Sequence, residues 1–159
     1  MILQKHVKIS EHDYRKRIAA LPDERTADIF TKKILYTAAV LFDFDFSELN
    51  KENTGAVIST RTGPYQSVKA VSEIIQRHGY RGINPSRFPN VMLSTALSRL
   101  VRYLGIHGPA CAFYDCNEDH RDAKQYCEVL LSSCRCRGLV LICADENGEA
   151  AGKYFIFGK

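Results

Sequence analysis

Two side chains capable of covalent or proton chemistry lie close together in the second half of the chain. They are Cys116 and, four residues on, His120. They fall where the apolar run Ala110–Tyr114 gives way to a polar stretch that opens with Glu118 and Asp119. A strand–turn–helix elbow is where α/β enzymes often present a nucleophile, because the unpaired amides of a helix start favour an anion. A thiol at that place is a candidate acyl acceptor, and a histidine one turn further is a candidate base. For a lone histidine near a helix start, a solvated surface position is the preferred reading.

The other chemistry-bearing residues point to less. The six cysteines are Cys111, Cys116, Cys127, Cys134, Cys136 and Cys143. Several sit in apolar runs, where cysteine behaves as a small buried hydrophobe. A domain of this size in a reducing compartment needs no disulfide staples. Cys134-x-Cys136 lacks zinc-knuckle spacing and has no histidine pair beside it, so no metal is expected. The loop Thr60–Tyr65, T-R-T-G-P-Y, offers Gly63 amides to a phosphate, but a lone T-R-T-G reads better as a plain turn. Neither G-x-G-x-x-G nor a P-loop is present, and no cofactor is expected. The formal charge of +4 arises from 22 basic and 18 acidic residues. Their scatter is that of a solvated surface and excludes a nucleic-acid footprint. No apolar run approaches the ~18 residues of a membrane span, and the first residues lack a signal-peptide pattern. A cytoplasmic protein without a membrane partner is the expectation.

The elements that must position these residues are read from periodicity. Ile2–Ile9 suits a short strand, and Glu11–Ala20 a loop or short helix. Asp23–Phe42 repeats its apolar residues at helical spacing. Asp43–Asn53 is an acidic connector, Gly55–Thr60 a strand, and Gln66–His78 a helix stopped by Gly79. Tyr80–Pro89 is a loop and Asn90–Leu104 a helix, with Asn90 as its cap and Gly105 as its left-handed stop. Ala110–Tyr114 is a strand and Glu118–Ser133 a helix whose first-turn acids complement its dipole. Gly138–Ala144 has the near-continuous apolar character of a strand covered on both faces. Asp145–Gly148 is a turn, and Lys153–Phe157 a returning strand. The sum is a single α/β layered domain, residues 1–159 with its core at about 23–158, and no internal repeat.

From about Asp23 to Ala144, some three quarters of the chain, the sequence resembles the N-terminal half of β-ketoacyl synthases. GAVIST ahead of TRTG looks like that family's strand before its glycine-bearing loop. INPSRFPNVMLSTALSRLVRYLGIHGP looks like its I-S-P-x-x-x-P segment, long helix and L-G-x-x-G-P turn. The resemblance implies half of a thiolase-like fold, with a mixed five-stranded sheet and helices packed on it.

It also implies a site. The family strand after Gly-Pro runs into T-A-C-x-S, whose cysteine accepts the acyl chain. An ungapped count from Gly108-Pro109 sets Asp115 at the threonine, Cys116 at the alanine and Asn117 at the nucleophile. The helix beyond agrees, since Cys127, Leu130 and Leu131 then share its apolar face. An amide forms no thioester, and Cys116, one residue short, is re-aimed into the strand's packing unless the turn carries a deletion. The family's two catalytic histidines and its lysine lie in its C-terminal half, and 42 residues follow Asn117 here. The implied function is a catalytically degenerate, chain-length-factor-like accessory or structural subunit in fatty-acid or polyketide-type biosynthesis, rather than a condensing enzyme by itself. The alternatives are one half of a split ketosynthase using Cys116, or a small-molecule binding domain reusing the half-fold. In the family the strand after Gly-Pro pairs across the dimer, which maps to Ala110, Cys111, Ala112, Phe113 and Tyr114. The implied partners are a second copy or a ketosynthase-like subunit, with an acyl carrier protein beyond.

Overall fold

A computed structural model describes residues 1–17 and 26–158. Within them runs one mixed sheet, ordered β1 (Ile2–Ile9), β5 (Ala150–Ile156), β4 (Gly138–Ala144), β2 (Thr54–Thr60) and β3 (Ala110–Tyr114). β2 lies parallel to both β3 and β4, while β5 runs antiparallel to β4 and to β1. The helices are α1 (Glu11–Arg17), α2 (Ile29–Leu41), α3 (Tyr65–His78), α4 (Leu93–Leu104) and α5 (Arg121–Ser132). The sheet is therefore the expected five-stranded mixed one, with helices on it.

Strand periodicity divides the core. Ala56, Ile58, Val140 and Ile142 face α2 and α4, packing with Ile34, Leu35, Ala38, Leu100 and Leu104. Val57, Leu139, Leu141 and Cys143 face the other way, onto Ala123, Cys127, Leu130 and Leu131 of α5. Successive strand residues point to opposite faces, so strands apolar at nearly every position must be covered on both. Both β2 and β4 are buried along their whole length.

Several boundaries differ from the reading above for local reasons. α2 begins at Ile29 because Asp28 caps it, its carboxylate accepting the Thr31 amide at 2.9 Å; residues 23–25 of the expected helix lie outside the described ones, as do 18–20 of Glu11–Ala20. α4 begins at Leu93, and Asn90 does not cap it. A short 3-10 turn, Phe88–Val91, precedes the helix, and Asn90 turns inward to donate from Nδ2 to the Thr26 carbonyl at 2.7 Å. Gly105 closes α4 with φ 65°, the left-handed stop expected. β5 starts at Ala150, three residues early, since the whole of Ala150–Ile156 pairs with β4.

α3 is different in kind. It is amphipathic yet buries none of its residues fully, and Tyr65, Val68, Tyr80, Phe88 and Met92 on it and the following loop are exposed. Among the described residues β3 pairs with β2 alone and has its other edge open. The bonds at the ladder's ends, Ala56 N to Pro109 O and Asp115 N to Thr60 O, turn the odd residues of β3 toward β2. In a parallel pair alternate residues point their backbone groups outward, which leaves the N–H groups of Ala110, Ala112 and Tyr114 on the open edge.

Candidate functional site

The elbow after β3 is built differently from the sequence expectation. α5 starts at Arg121, not Glu118, so residues 115–120 form a turn and neither Cys116 nor Asn117 stands at the helix start. Asp115 is buried, and its Oδ2 accepts the Ala123 amide in the first turn of α5 at 3.1 Å. Its Oδ1 accepts the Asn117 backbone amide and the Asn117 Nδ2, both at 3.0 Å. Burial acts to raise this carboxyl, but the amides of Ala123 and Asn117 and the Asn117 side chain outweigh it and hold it below the usual carboxylate range. The electropositive end of α5 is thus satisfied by the protein's own carboxylate. Cys116 points to solvent, not into the strand's packing; Asp115 takes the inward position. All six cysteines are free thiols.

The residue at the helix start is His120, held left-handed at φ 51° and half-buried. Its Nδ1 lies 2.9 Å from Ser59 Oγ, so it is not the solvated histidine expected. Ser59 follows Val57 by two and therefore sits on the α5 face of β2, with no exposure at all. Serine and imidazole have the spacing of a nucleophile and its base, but a fully buried hydroxyl meets no substrate. It fixes the ring instead. Burial lowers the His120 pKa; Asp145 and Asp115 pull it up less strongly, and Arg61 and Lys124 add to the lowering.

Asp145, at the end of β4, organises the other wall. Its carboxylate accepts the Arg61 amide at 2.7 Å, Arg61 Nε at 2.7 Å, Thr60 Oγ1 at 3.0 Å and the Thr62 amide at 3.2 Å. Burial works to raise this carboxyl, and the bonds from Arg61, Thr60 and Thr62 hold it low. The TRTG loop is an anion cradle, then, whose anion is internal. Gly63 is needed there because φ is 59° and a Cβ would lie 2.6 Å from Tyr114 Oη. Beneath it Lys33, 1% exposed, sends Nζ to Glu11 Oε2 (2.9 Å) and to the carbonyls of Asp145 (3.0 Å), Glu146 (3.2 Å) and Gly148 (2.6 Å).

These groups border an open cleft of about 540 Å³ at the carboxyl ends of the parallel strands, lined among others by His120, Arg61, Asp145, Lys124, Lys153 and Cys143. Ligands of open α/β sheets collect at such ends. The cleft mixes charges: Arg61, Lys124 and Lys153 stand against Glu118, Asp119, Asp145 and Glu149, with the His120 imidazole among them. Among the described residues no three His, Cys, Asp or Glu are grouped to hold a metal, and no helix is long and apolar enough to cross a membrane.

Sequence reasoning missed Ser59, Asp145 and the role of His120. Ser59 hides in an apolar strand, and Asp145 reads as the first residue of a turn. The usable signal was position: polar residues at the carboxyl ends of two runs that periodicity marks as adjacent buried strands.

No family model matches the chain, and no curated protein matches it in sequence. Solved structures do. The ishigamide ketosynthase/chain length factor superposes with a TM-score of 0.77 at 14% identity, over 96% of this chain and 60% of that one. The AntDE:AntF assembly, a type II PKS acyl-carrier protein in complex with its ketosynthase bound to the hexaketide, gives 0.69 at 13%, over 87% and 50%. A ketosynthase (ApeO) in complex with its chain length factor (ApeC) from Xenorhabdus doucetiae gives 0.68 at 9%, over 99% and 80%. The chain has the ketosynthase and chain-length-factor fold. It spans 60% and 50% of the first two of these chains, a thiolase-like half-fold. Within this ketosynthase-like half-fold, the residues of the elbow are joined to one another: Asn117 is tied to Asp115, and Asp115 to α5.

Proposed function

We propose that this chain is a catalytically degenerate ketosynthase-like protein, an accessory or structural subunit in polyketide-type or fatty-acid biosynthesis. The observation that carries the reading is the elbow itself. The residue that the sequence register sets at the acyl-accepting position, Asn117, has an amide bound to Asp115, whose carboxylate also satisfies the start of α5. Acylation there would need a thiol and free helix amides to stabilise it, and both are replaced. The test is to incubate the protein with an acyl thioester and read its intact mass. No adduct is expected, and stoichiometric acylation of Cys116 would overturn the reading in favour of a split ketosynthase.

The partner is a second copy or a ketosynthase-like subunit in the cytoplasm, joined through Ala110–Tyr114, with an acyl carrier protein as the further contact. The open edge of β3 supports this, because a bare strand edge is a template for pairing. So do the exposed apolar residues around α3, since large uncovered apolar areas mark interaction surfaces. Light scattering after size exclusion reports the assembly, and Ala112→Pro, which removes an outward N–H, is expected to break it. A stable monomer that also fails to co-elute with a ketosynthase-like chain would refute it.

A further inference from the structure

Asp145 and Glu146 are adjacent in sequence but border different clefts. Glu146 lines a second cleft of about 660 Å³ between the start of α2, α3 and the loop at residues 82–90. Glu146 is 4% exposed; its Oε2 accepts the Gln66 amide at 2.7 Å, while Oε1 has no hydrogen-bond partner among the described residues. Asn90, 8% exposed, lines the same cleft, and its Oδ1 is likewise unpartnered among the described residues. Two buried acceptors without donors on one cleft are unusual, since buried polar groups are nearly always paired. Asp28 adds a second carboxylate to the wall, and Arg87 is the one basic residue among the described lining residues. The rest of the wall mixes neutral polar residues, Ser67, Asn84 and Ser86 among them, with an apolar part that includes Val71, Ile74 and Ile83.

We propose that this cleft binds a small organic cation, an ammonium carried on an apolar body. Its N–H groups are directed to Glu146 and Asn90, and its body lies against Val71, Ile74 and Ile83. A donor reaching either oxygen makes a hydrogen bond that the free protein lacks, and at Glu146 that bond is charge-assisted. Burial raises the Glu146 carboxyl, with Asp28 reinforcing it against the Gln66 amide and Lys33, which fits a carboxylate short of positive neighbours. The site shares no lining residue with the His120 cleft and stands independently of the accessory-subunit reading.

The test is an NMR titration of the full chain with n-hexylammonium chloride, with n-hexanol and sodium hexanoate as matched probes. Saturable shifts at the amides of Val71, Ile74, Asn90 and Glu146 are expected with hexylammonium, and markedly weaker ones with the other two. Glu146→Gln is expected to weaken binding about tenfold or more. Val71→Phe, at a half-exposed position that tolerates bulk, fills the cleft and abolishes binding. Absence of saturable shifts, equal binding of hexanol or hexanoate, or full affinity in a folded variant of either kind would overturn the proposal.

Discussion

Lys33→Met removes one ammonium from the interior and tests what holds the 145–148 turn in place. Methionine keeps the unbranched apolar stem and supplies no donor. Four oxygens within 3.2 Å of Nζ then lose it: Glu11 Oε2 and the carbonyls of Asp145, Glu146 and Gly148. Gly148 is exposed and Glu11 half-exposed, so water replaces the donor there. Asp145 and Glu146 are buried. An orphaned buried acceptor costs about 1–3 kcal/mol, which puts the two together at about 2–6 kcal/mol. Relief of the lysine's own desolvation acts in the opposite direction, and the exposed side of the Glu11 pair contributes about 1 kcal/mol or less. A net loss of about 3–4 kcal/mol is expected, a large share of the ~5–15 kcal/mol that stabilises a typical domain. At about 2–4 °C per kcal/mol for a chain of this size, Tm falls by about 6–16 °C. Circular-dichroism melting and urea titration of Lys33→Met beside the parent protein measure it. A variant that melts within a degree of the parent, or above it, would show that desolvation cancels the four bonds and would refute the argument.

Three further outcomes follow from the same structure. Burial pushes the Cys127 and Cys143 thiols up to about 12 and raises Cys136 as well, so a thiol reagent at neutral pH should modify exposed Cys116 and Cys134 rapidly, Cys111 more slowly, and the buried three only on unfolding; rapid native modification of all six contradicts this core. Gly63→Ala meets Tyr114 Oη at 2.6 Å with φ at 59°, and should cost about 1–3 kcal/mol in urea titration; an unchanged midpoint denies the tight contact. The His120 pKa is depressed below its ordinary 6.5, so its stabilising share is fully present above that value and is lost as pH falls through the lowered pKa. An NMR titration placing His120 above 6.5 would contradict the burial against Ser59.

Much of the fold is legible in the chain because apolar spacing alone dictates it. GLVLICA, short and closed by a turn, reads as a strand covered on both faces, and the Cys127, Leu130, Leu131 stripe reads as the inward face of a helix. Gly105 stops α4 through a backbone angle that local sequence sets. The elbow was legible as a place and not as a geometry. Whether α5 starts at Glu118 or Arg121 depends on Asp115 reaching the Ala123 amide from outside the helix, a bond between residues eight apart that no periodicity announces. Asn90 misled for a related reason. Its side chain is a good cap, but the Thr26 carbonyl competes for it across 64 residues.

The sequence by itself determined the order and character of the elements, the apolar faces and the absence of a thiol at position 117. These follow from local backbone preference and from the free energy of removing apolar surface from water, both of which act residue by residue. Only the tertiary structure decided that Ser59 would meet His120, that Asp145 would fill the TRTG cradle 84 residues away, and that Lys33 would be buried among four oxygens. A hydrogen bond depends on distance and direction, and those become defined only after the sheet has brought remote parts of the chain together.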